Sequence, residues 1–156
     1  MKCSILTVLF CQMLGVSASP VDASPIDKDA LAKSYFSAWV KTQSPKATAE
    51  DIERYLDLLA DDVGHQHLPY DVDASRHVVG KKEMRKGIMH YLGSHTRHSA
   101  RLNTITHGFN LVVISYESAS TGVHPQTAEL IEQRYDTVEV LELVGDKVAV
   151  IRKYSE

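Results

Sequence analysis

Two histidines, His65 and His67, lie one residue apart in the stretch GHQHLPYD, residues 64–71. If this stretch is a β-strand, both side chains point to the same face of the sheet, because strand residues two positions apart share a face. Two such imidazoles can chelate zinc, iron or copper, or one of them can act as a base with a pKa near neutrality. Alternatively, the two histidines have no chemical role and simply form the polar face of a strand.

Acid/base chemistry would need further groups near His67. A base together with a phenol that polarises a carbonyl can move a proton between carbon atoms or assist the loss of water. Tyr35 and Tyr116 are the candidate phenols, and Asp136 and Glu129 are candidates to orient or stabilise the reacting atoms. For each tyrosine the alternative is a core residue whose hydroxyl is satisfied at the edge of the core. The sequence predicts catalytic roles for His67, Tyr35 and Asp136.

Metal binding would need at least one ligand beyond the two histidines. His107, His124 and Glu129 are candidates, and each lies on a different predicted segment. Spacing along the chain does not select among them. The pattern therefore does not specify a metal site.

Residues 1–18 have the pattern of a signal peptide. Lys2 precedes an apolar run over 4–16 that is too short to span a bilayer as a stable helix, and Val16-Ser17-Ala18 fits cleavage after Ala18. Cleavage after Ala23 and an uncleaved N-terminal anchor are the alternatives. We expect an exported protein, periplasmic or extracellular, with a short leader over 19–26 and one domain over 27–156.

Composition narrows the function further. Cys3 and Cys11 are the two cysteines and both fall in the predicted signal, so disulfides, cysteine nucleophiles and Cys-ligated zinc are not expected in the exported chain. Loss of Lys2 changes the formal net charge from −3 to −4. Without a basic block, nucleic acid is not an expected partner. The sequence has no Gly-rich phosphate loop, nucleophile elbow or HExxH motif, which argues against nucleotide-binding and hydrolase functions.

Helical patterns occupy the first half of the predicted domain. Ser24, Pro25 and Asp27 predict the N-cap, first position and first-turn acid of a helix that runs to about Lys41, with Trp39 on its inner stripe. Trp39 could wall a ligand pocket, or it could be a core residue.

Two further helices are predicted. A capping box of Thr48 and Asp51 opens the second. Its apolar face is formed by Ile52, Tyr55, Leu56 and Leu59. The third begins at Lys81, and its stripe consists of Met84, Ile88, Tyr91 and His95. At the end of that stripe, His95 could interact with the last carbonyl groups of its own helix.

The period changes to two from about residue 99, which predicts strands over 100–107, 110–118, 128–144 and 147–154. Gly145-Asp146 predicts a tight turn between the last two. We therefore expect an α+β fold in which three helices pack on one face of a strongly curved, mostly antiparallel sheet. Such a cone leaves a cavity, where a ligand would bind.

The chain resembles the SnoaL-like branch of the nuclear-transport-factor-2-like (NTF2-like) superfamily, which includes ketosteroid isomerases, polyketide cyclases and scytalone dehydratase. The resemblance covers 27–156 and is carried by YLDLLADDVGHQHLP at 55–69, GKKEMRKGIMHY at 80–91 and TVEVLELVGDKVAVIRKYSE at 137–156. It implies an NTF2-like cone without a metal or other cofactor, and a homodimer formed through the outer sheet face.

The resemblance also implies roles for individual residues. His67 stands where ketosteroid isomerases have an aspartate base, Tyr35 matches their first-helix tyrosine, and Asp136 matches their second acid roughly. The missing aspartate argues against an isomerase and permits a cyclase or dehydratase with a histidine base. We expect either cofactor-free acid/base chemistry on a small, largely apolar molecule or a non-catalytic binding module. The expected pocket residues are His65, Trp39, Tyr91, Tyr116 and Glu129.

Overall fold

The computed structural model describes residues 26–156, so the predicted signal peptide and nearly all of the leader lie outside the described residues. Three helices are present in this range, α1 (Lys28–Thr42), α2 (Ala49–Leu56) and α3 (Gly80–His90). Five strands complete the fold, β1 (Leu59–Leu68), β2 (His95–Gly108), β3 (Leu111–Val123), β4 (Leu130–Val144) and β5 (Lys147–Ser155). Within 26–156, no helix is both long enough and apolar enough to span a membrane.

The first two helices begin at side-chain caps. Asp27 is the N-cap of α1 rather than a first-turn acid, because its carboxylate accepts a hydrogen bond of 3.0 Å from the Ala30 N–H. The predicted cap Ser24 and first position Pro25 lie outside the described residues. The capping box of Thr48 and Asp51 is confirmed at the start of α2. This helix ends at Leu56, so Leu59 belongs to β1 and not to the apolar face of α2.

Helix α3 ends earlier than its apolar stripe predicts. The helix stops at His90, and the turn that follows contains Gly93 with a φ of 77°. His95 is consequently the first residue of β2. Its Nδ1 lies 3.0 Å from the carbonyl oxygen of Gln43, which is the C-cap of α1. The expected interaction with the carbonyl groups of its own helix is therefore wrong, and the imidazole instead joins the ends of α1 and β2.

The strands form one sheet in the order β1-β5-β4-β3-β2. β1 runs parallel to β5, and the other three pairs are antiparallel. The predicted turn between β4 and β5 is confirmed, with Gly145 at a φ of 59°. The α+β prediction of helices on a curved, mostly antiparallel sheet is confirmed as well.

The core lies between α1, α2 and the concave face of the sheet. Apolar side chains of the helices, including Ala32, Ile52 and Leu56, pack in one cluster with buried residues of the strands. In the first half of β3 and in the second half of β4, the buried residues alternate with less buried ones. The strand contribution includes Val112, Ile114, Leu141, Leu143, Val148 and Ile151. One face of the sheet is therefore buried, and any ionisable group on that face is removed from bulk water.

Candidate functional site

A row of ionisable side chains crosses the concave face of the sheet. His67 on β1 lies opposite Lys153 on β5, and Lys153 lies opposite Glu139 on β4. Glu139 in turn lies opposite the core residue Ile114 on β3. Because neighbouring strands are about 4.8 Å apart, residues paired in this way are direct neighbours. The row joins an imidazole, an amine and a carboxylate inside the cone.

Glu139 is the centre of a buried hydrogen-bond network. It is 3% exposed, and its two carboxylate oxygens accept bonds of 2.9 Å from the Tyr35 hydroxyl and 2.6 Å from the Tyr116 hydroxyl. Tyr55 donates in turn to the Tyr35 oxygen at 3.2 Å. Burial raises the pKa of all three tyrosines far above the ordinary value, and the Glu139 charge raises it further. The phenols therefore stay protonated and act as donors.

Lys153 extends from β5 into the same region. Its Nζ lies 3.9 Å from Glu139 Oε1 and 5.0 Å from the centre of the Trp39 ring. Burial lowers the pKa of Lys153, and the Glu139 charge offsets part of that effect. The amine is therefore held between a carboxylate and an aromatic face, which are both attractive to a cation.

Three histidines near Lys153 are uncharged at neutral pH. Burial is the main reason, and the positive charge of Lys153 adds to it. The pKa is lowered to about 4 for both His67 and His98, and it is lowered for His65 as well. The His98 ring meets the edge of Trp39 at a centroid distance of 5.6 Å. Each imidazole can accept a proton, but holding one there costs free energy.

This shift predicts a loss of stability in mild acid. The unfolded chain binds protons at these histidines below about pH 6.5, whereas folded His67 and His98 bind them only near pH 4. Their contribution to stability is therefore complete above about pH 6.5 and is lost as the pH falls through about 4. We expect the melting temperature to fall between pH 7 and pH 4.5, and to fall less in His98→Gln. Thermal unfolding followed by circular dichroism measures the melting temperature at each pH, with the exposed His90→Gln as control. Equal pH dependence of the melting temperature in His98→Gln and in the wild type would contradict the prediction.

A cavity of about 700 Å³ lies next to the row. It is enclosed by the end of α1, by β1, by the segment after β1 and by α3. Val63, Met84 and Ile88 contribute apolar surface, and Tyr91 lines the cavity too. His65 also forms part of the wall. Its side chain is exposed to the cavity even though surrounding protein atoms lower its pKa.

The structure brings most of the predicted site residues together. Tyr35, Tyr116 and Trp39 surround Glu139 and Lys153, and His67 lies in the adjoining position of the row. Of the predicted pocket residues, His65 and Tyr91 line the cavity. The ring centres of His65 and His67 are 6.2 Å apart, so the row and the cavity adjoin.

Two predicted residues lie elsewhere. Asp136 is exposed and is an odd number of positions from Glu139 in a strand without irregularity at this point, so it points to the outer face. Glu129 is exposed in the connection between β3 and β4, where it accepts a hydrogen bond from Thr127. Neither carboxylate is near the row, because side chains on the outer face and in an exposed connection cannot reach the cone interior.

The proposed third metal ligands are also separated. His107 pairs with Asp29 at 2.9 Å, and His124 accepts from backbone N–H groups in the β3–β4 connection. Within residues 26–156, no group of three or more histidine, cysteine or acidic side chains is placed to hold a metal ion.

Sequence reasoning missed Glu139 and Lys153. Arg152, the residue before Lys153, pairs with Glu142 at 2.7 Å and not with Glu139. The available signal was strand alternation, since Glu139 shares a face with the apolar residues Leu141 and Leu143. The sequence analysis also gave no role to His98, which is half-buried against Trp39.

The helices on a curved mixed sheet, with polar groups at the concave face and a cavity beside them, define an α+β cone protein. No protein-family model matches the chain, and no curated protein matches it either. Solved structures do match it. An NTF2-like protein from Anabaena variabilis superposes with a TM-score of 0.62 at 14% identity, over 91% of this chain and 96% of that one.

Two further structures extend the comparison. A Shewanella putrefaciens protein proposed to be a SnoaL-like polyketide cyclase has a TM-score of 0.64 at 12% identity, over 85% of this chain and 91% of that one. A ketosteroid isomerase-like protein from Erwinia carotovora has a TM-score of 0.56 at 14% identity, over 81% and 92%. The fold is therefore that of the NTF2-like, SnoaL-like proteins, as the sequence resemblance predicted.

Proposed function

We propose that the protein binds a small, largely apolar molecule in the cavity beside α3 and acts on it by proton transfer without a cofactor, in the manner of an isomerase, cyclase or dehydratase. The position of His65 carries this proposal. Its imidazole forms part of the cavity wall, and its lowered pKa leaves it an uncharged proton acceptor at neutral pH.

The cavity supports binding of a small molecule. Its volume of about 700 Å³ lies in the range of small-molecule sites. Val63, Met84 and Ile88 offer apolar contact, and Asp71 and Glu83 supply polar groups. This combination suits a ligand with an apolar body and a few polar atoms.

The phenol assigned to carbonyl polarisation changes from the one that the sequence suggested. Tyr35 and Tyr116 already donate their hydroxyl hydrogens to Glu139, so neither is free for a ligand. Tyr91 lines the cavity and is 49% exposed. The proposal therefore pairs His65 as proton acceptor with Tyr91 as donor. His65 replaces His67, the base that the sequence suggested, because His67 does not line the cavity; the two ring centres are 6.2 Å apart.

Names of similar structures support the reaction type. They include a protein proposed to be a polyketide cyclase and a ketosteroid isomerase-like protein, whose sequences are 12% and 14% identical to this one. Because these identities are low, the names of the two proteins suggest compounds to test and do not identify a substrate of this protein. Cyclic and polycyclic ketones are accordingly the first compounds to test.

The test separates binding from chemistry. A panel of apolar ketones is screened by thermal shift, and compounds that bind are incubated in deuterated buffer while deuterium exchange next to the carbonyl is followed by NMR. We expect the wild type to bind and to exchange, and His65→Gln to bind while losing exchange about 100-fold or more, the range for loss of a general base. The exposed His107→Gln, outside the cavity, is the control.

Each outcome of this test is informative. Binding without exchange in the wild type would make the protein a non-catalytic binding module of the same fold. Absence of binding across the panel would remove the small-apolar-ligand proposal. Export and dimerisation through the outer sheet face stay predictions from the sequence, the first because residues 1–18 lie outside the described range.

A further inference from the structure

Helix α3 contains a glycine that neither the backbone nor the packing of the fold requires. Gly87 lies inside this helix, where glycine is less stable than alanine because it loses more conformational freedom on folding. The six other described glycines each have a structural reason. Two of them have a positive φ, and an added Cβ atom at the other four would lie less than 3.0 Å from a neighbouring atom: Gly93 and Gly145, then Gly64, Gly80, Gly108 and Gly122. Gly87 has no positive φ, and an added Cβ there would meet no atom within 4 Å.

Gly87 lies in the middle of the cavity wall that α3 forms. Helix residues three or four positions apart share a face, and the residues of this segment that line the cavity follow that spacing: Gly80, Glu83, Met84, Gly87, Ile88 and Tyr91. Met84 and Tyr91 are two helical turns apart, which is roughly 10 Å along the helix axis. The gap between them, over the bare backbone of Gly87, is called the α3 notch below.

The α3 notch is open space that belongs to the cavity. Because a Cβ atom at position 87 would meet no atom within 4 Å, none of the described residues fills this space. Side chains on a helix lean toward its N-terminus, so a longer side chain at position 87 would cover the turn that carries Glu83 and Met84. The missing side chain therefore adds width to the cavity over the middle of α3, where Met84 and Ile88 supply apolar surface.

The width of the cavity decides which ligand shapes it accepts. A rigid ring system cannot bend around a side chain that projects into its site, whereas an open chain rotates about its single bonds and avoids the side chain. A rigid ligand also loses less conformational freedom when it binds. The α3 notch therefore favours a wide, rigid body over a narrow, flexible one.

We propose that Gly87 is a specificity-determining residue that lets the cavity accept a rigid, ring-shaped ligand, whose apolar body lies in the α3 notch. This inference rests on the proposed function, because a small, largely apolar molecule must bind in the cavity. It goes further by assigning the shape of that molecule to one residue. It does not depend on proton transfer at His65, since binding alone is measured.

The experiment compares two ketones of equal carbon number, the fused-ring 2-decalone and the open-chain 2-decanone. NMR titration of the isotope-labelled protein measures the affinity for each ketone in the wild type, in Gly87→Ala and in Gly87→Leu. We expect the wild type to bind 2-decalone at least as tightly as 2-decanone. Gly87→Leu should weaken the binding of 2-decalone about tenfold or more, the usual size of an overpacking effect, and should change the binding of 2-decanone little. Gly87→Ala should act in the same direction with a smaller effect.

The controls separate the shape of the ligand from the stability of the fold. Lys82→Leu places the same side chain on α3 outside the cavity and should leave both affinities unchanged. Gly87→Leu should be at least as stable to urea as the wild type, because leucine favours a helix more than glycine does; if it does not fold, Gly87→Ala decides.

The outcomes distinguish this inference from the proposed function. An equal loss of affinity for both ketones in Gly87→Leu, or no loss for either, would overturn the role of Gly87 and leave the proposed binding function standing. A wild type that binds only the open-chain ketone would also overturn it. Absence of binding across the whole ketone panel would remove the proposed function, and this inference with it.

Discussion

Replacing Glu139 with alanine is expected to lower the free energy of unfolding by about 3–5 kcal/mol, the range for removing one partner from a buried charged network. The change leaves the hydroxyl groups of Tyr35 and Tyr116 without their acceptor at positions that are 1% exposed. It also removes the carboxylate opposite Lys153. Both consequences act in the same direction, because buried donors and charges lose solvation that nothing replaces.

Urea denaturation measures this effect, and two variants make the comparison specific. Glu139→Gln retains one carbonyl acceptor and should lose less stability than Glu139→Ala. Glu132→Ala removes an exposed glutamate from the same strand and should change stability little. Equal stabilities for Glu139→Ala and Glu132→Ala would show that the network does not stabilise the fold.

Gly80→Ala is expected to destabilise the protein by about 3 kcal/mol, at the upper end of the range for overpacking. A Cβ atom at this first residue of α3 would overlap the carbonyl oxygen of Val63 and lie 3.1 Å from the carbonyl carbon of Asp62. These atoms belong to the backbone of β1, which cannot rotate away as a flexible side chain can. The helix start would have to move off the strand, and the cavity wall between them would shift.

The second glycine of the same helix provides the matched control. Gly87 has no atom within 4 Å of an added Cβ, so Gly87→Ala should stabilise the helix by about 0.5–1 kcal/mol through reduced freedom of the unfolded chain. Thermal and urea unfolding of both variants test the prediction. If Gly80→Ala were as stable as the wild type, the close approach of α3 to β1 could not hold in solution.

Local patterns predicted most of the secondary structure because they depend on neighbours in sequence. The capping box of Thr48 and Asp51 and the turn at Gly145 are both found where the sequence placed them. The predictions were wrong where contacts between distant residues, or a reversal of chain direction, determine where an element ends. Helix α3 ends at His90 although its stripe continues to His95, and the imidazole of His95 bonds to the end of α1, 52 residues away in sequence.

The candidate site was predicted in part for the same reason. Spacing alone placed His65 and His67 on one strand face, and Tyr116 shares the alternation of the core residues Val112 and Ile114 on β3. Pairing between strands cannot be read from either pattern. The alignment of His67, Lys153 and Glu139 depends on β1 joining β5 in parallel, at the opposite edge of the sheet from β2.

By itself, the sequence determined the α+β class and the presence of a histidine pair on one strand face. These follow from periodicity, which each segment carries independently. Only the tertiary structure decided that Glu139 and not Asp136 meets the tyrosines, that Lys153 is the interior amine and that His65 lines the cavity. Those outcomes depend on strand register and on packing between segments far apart in the chain, because an error of one residue in register moves a side chain to the opposite face.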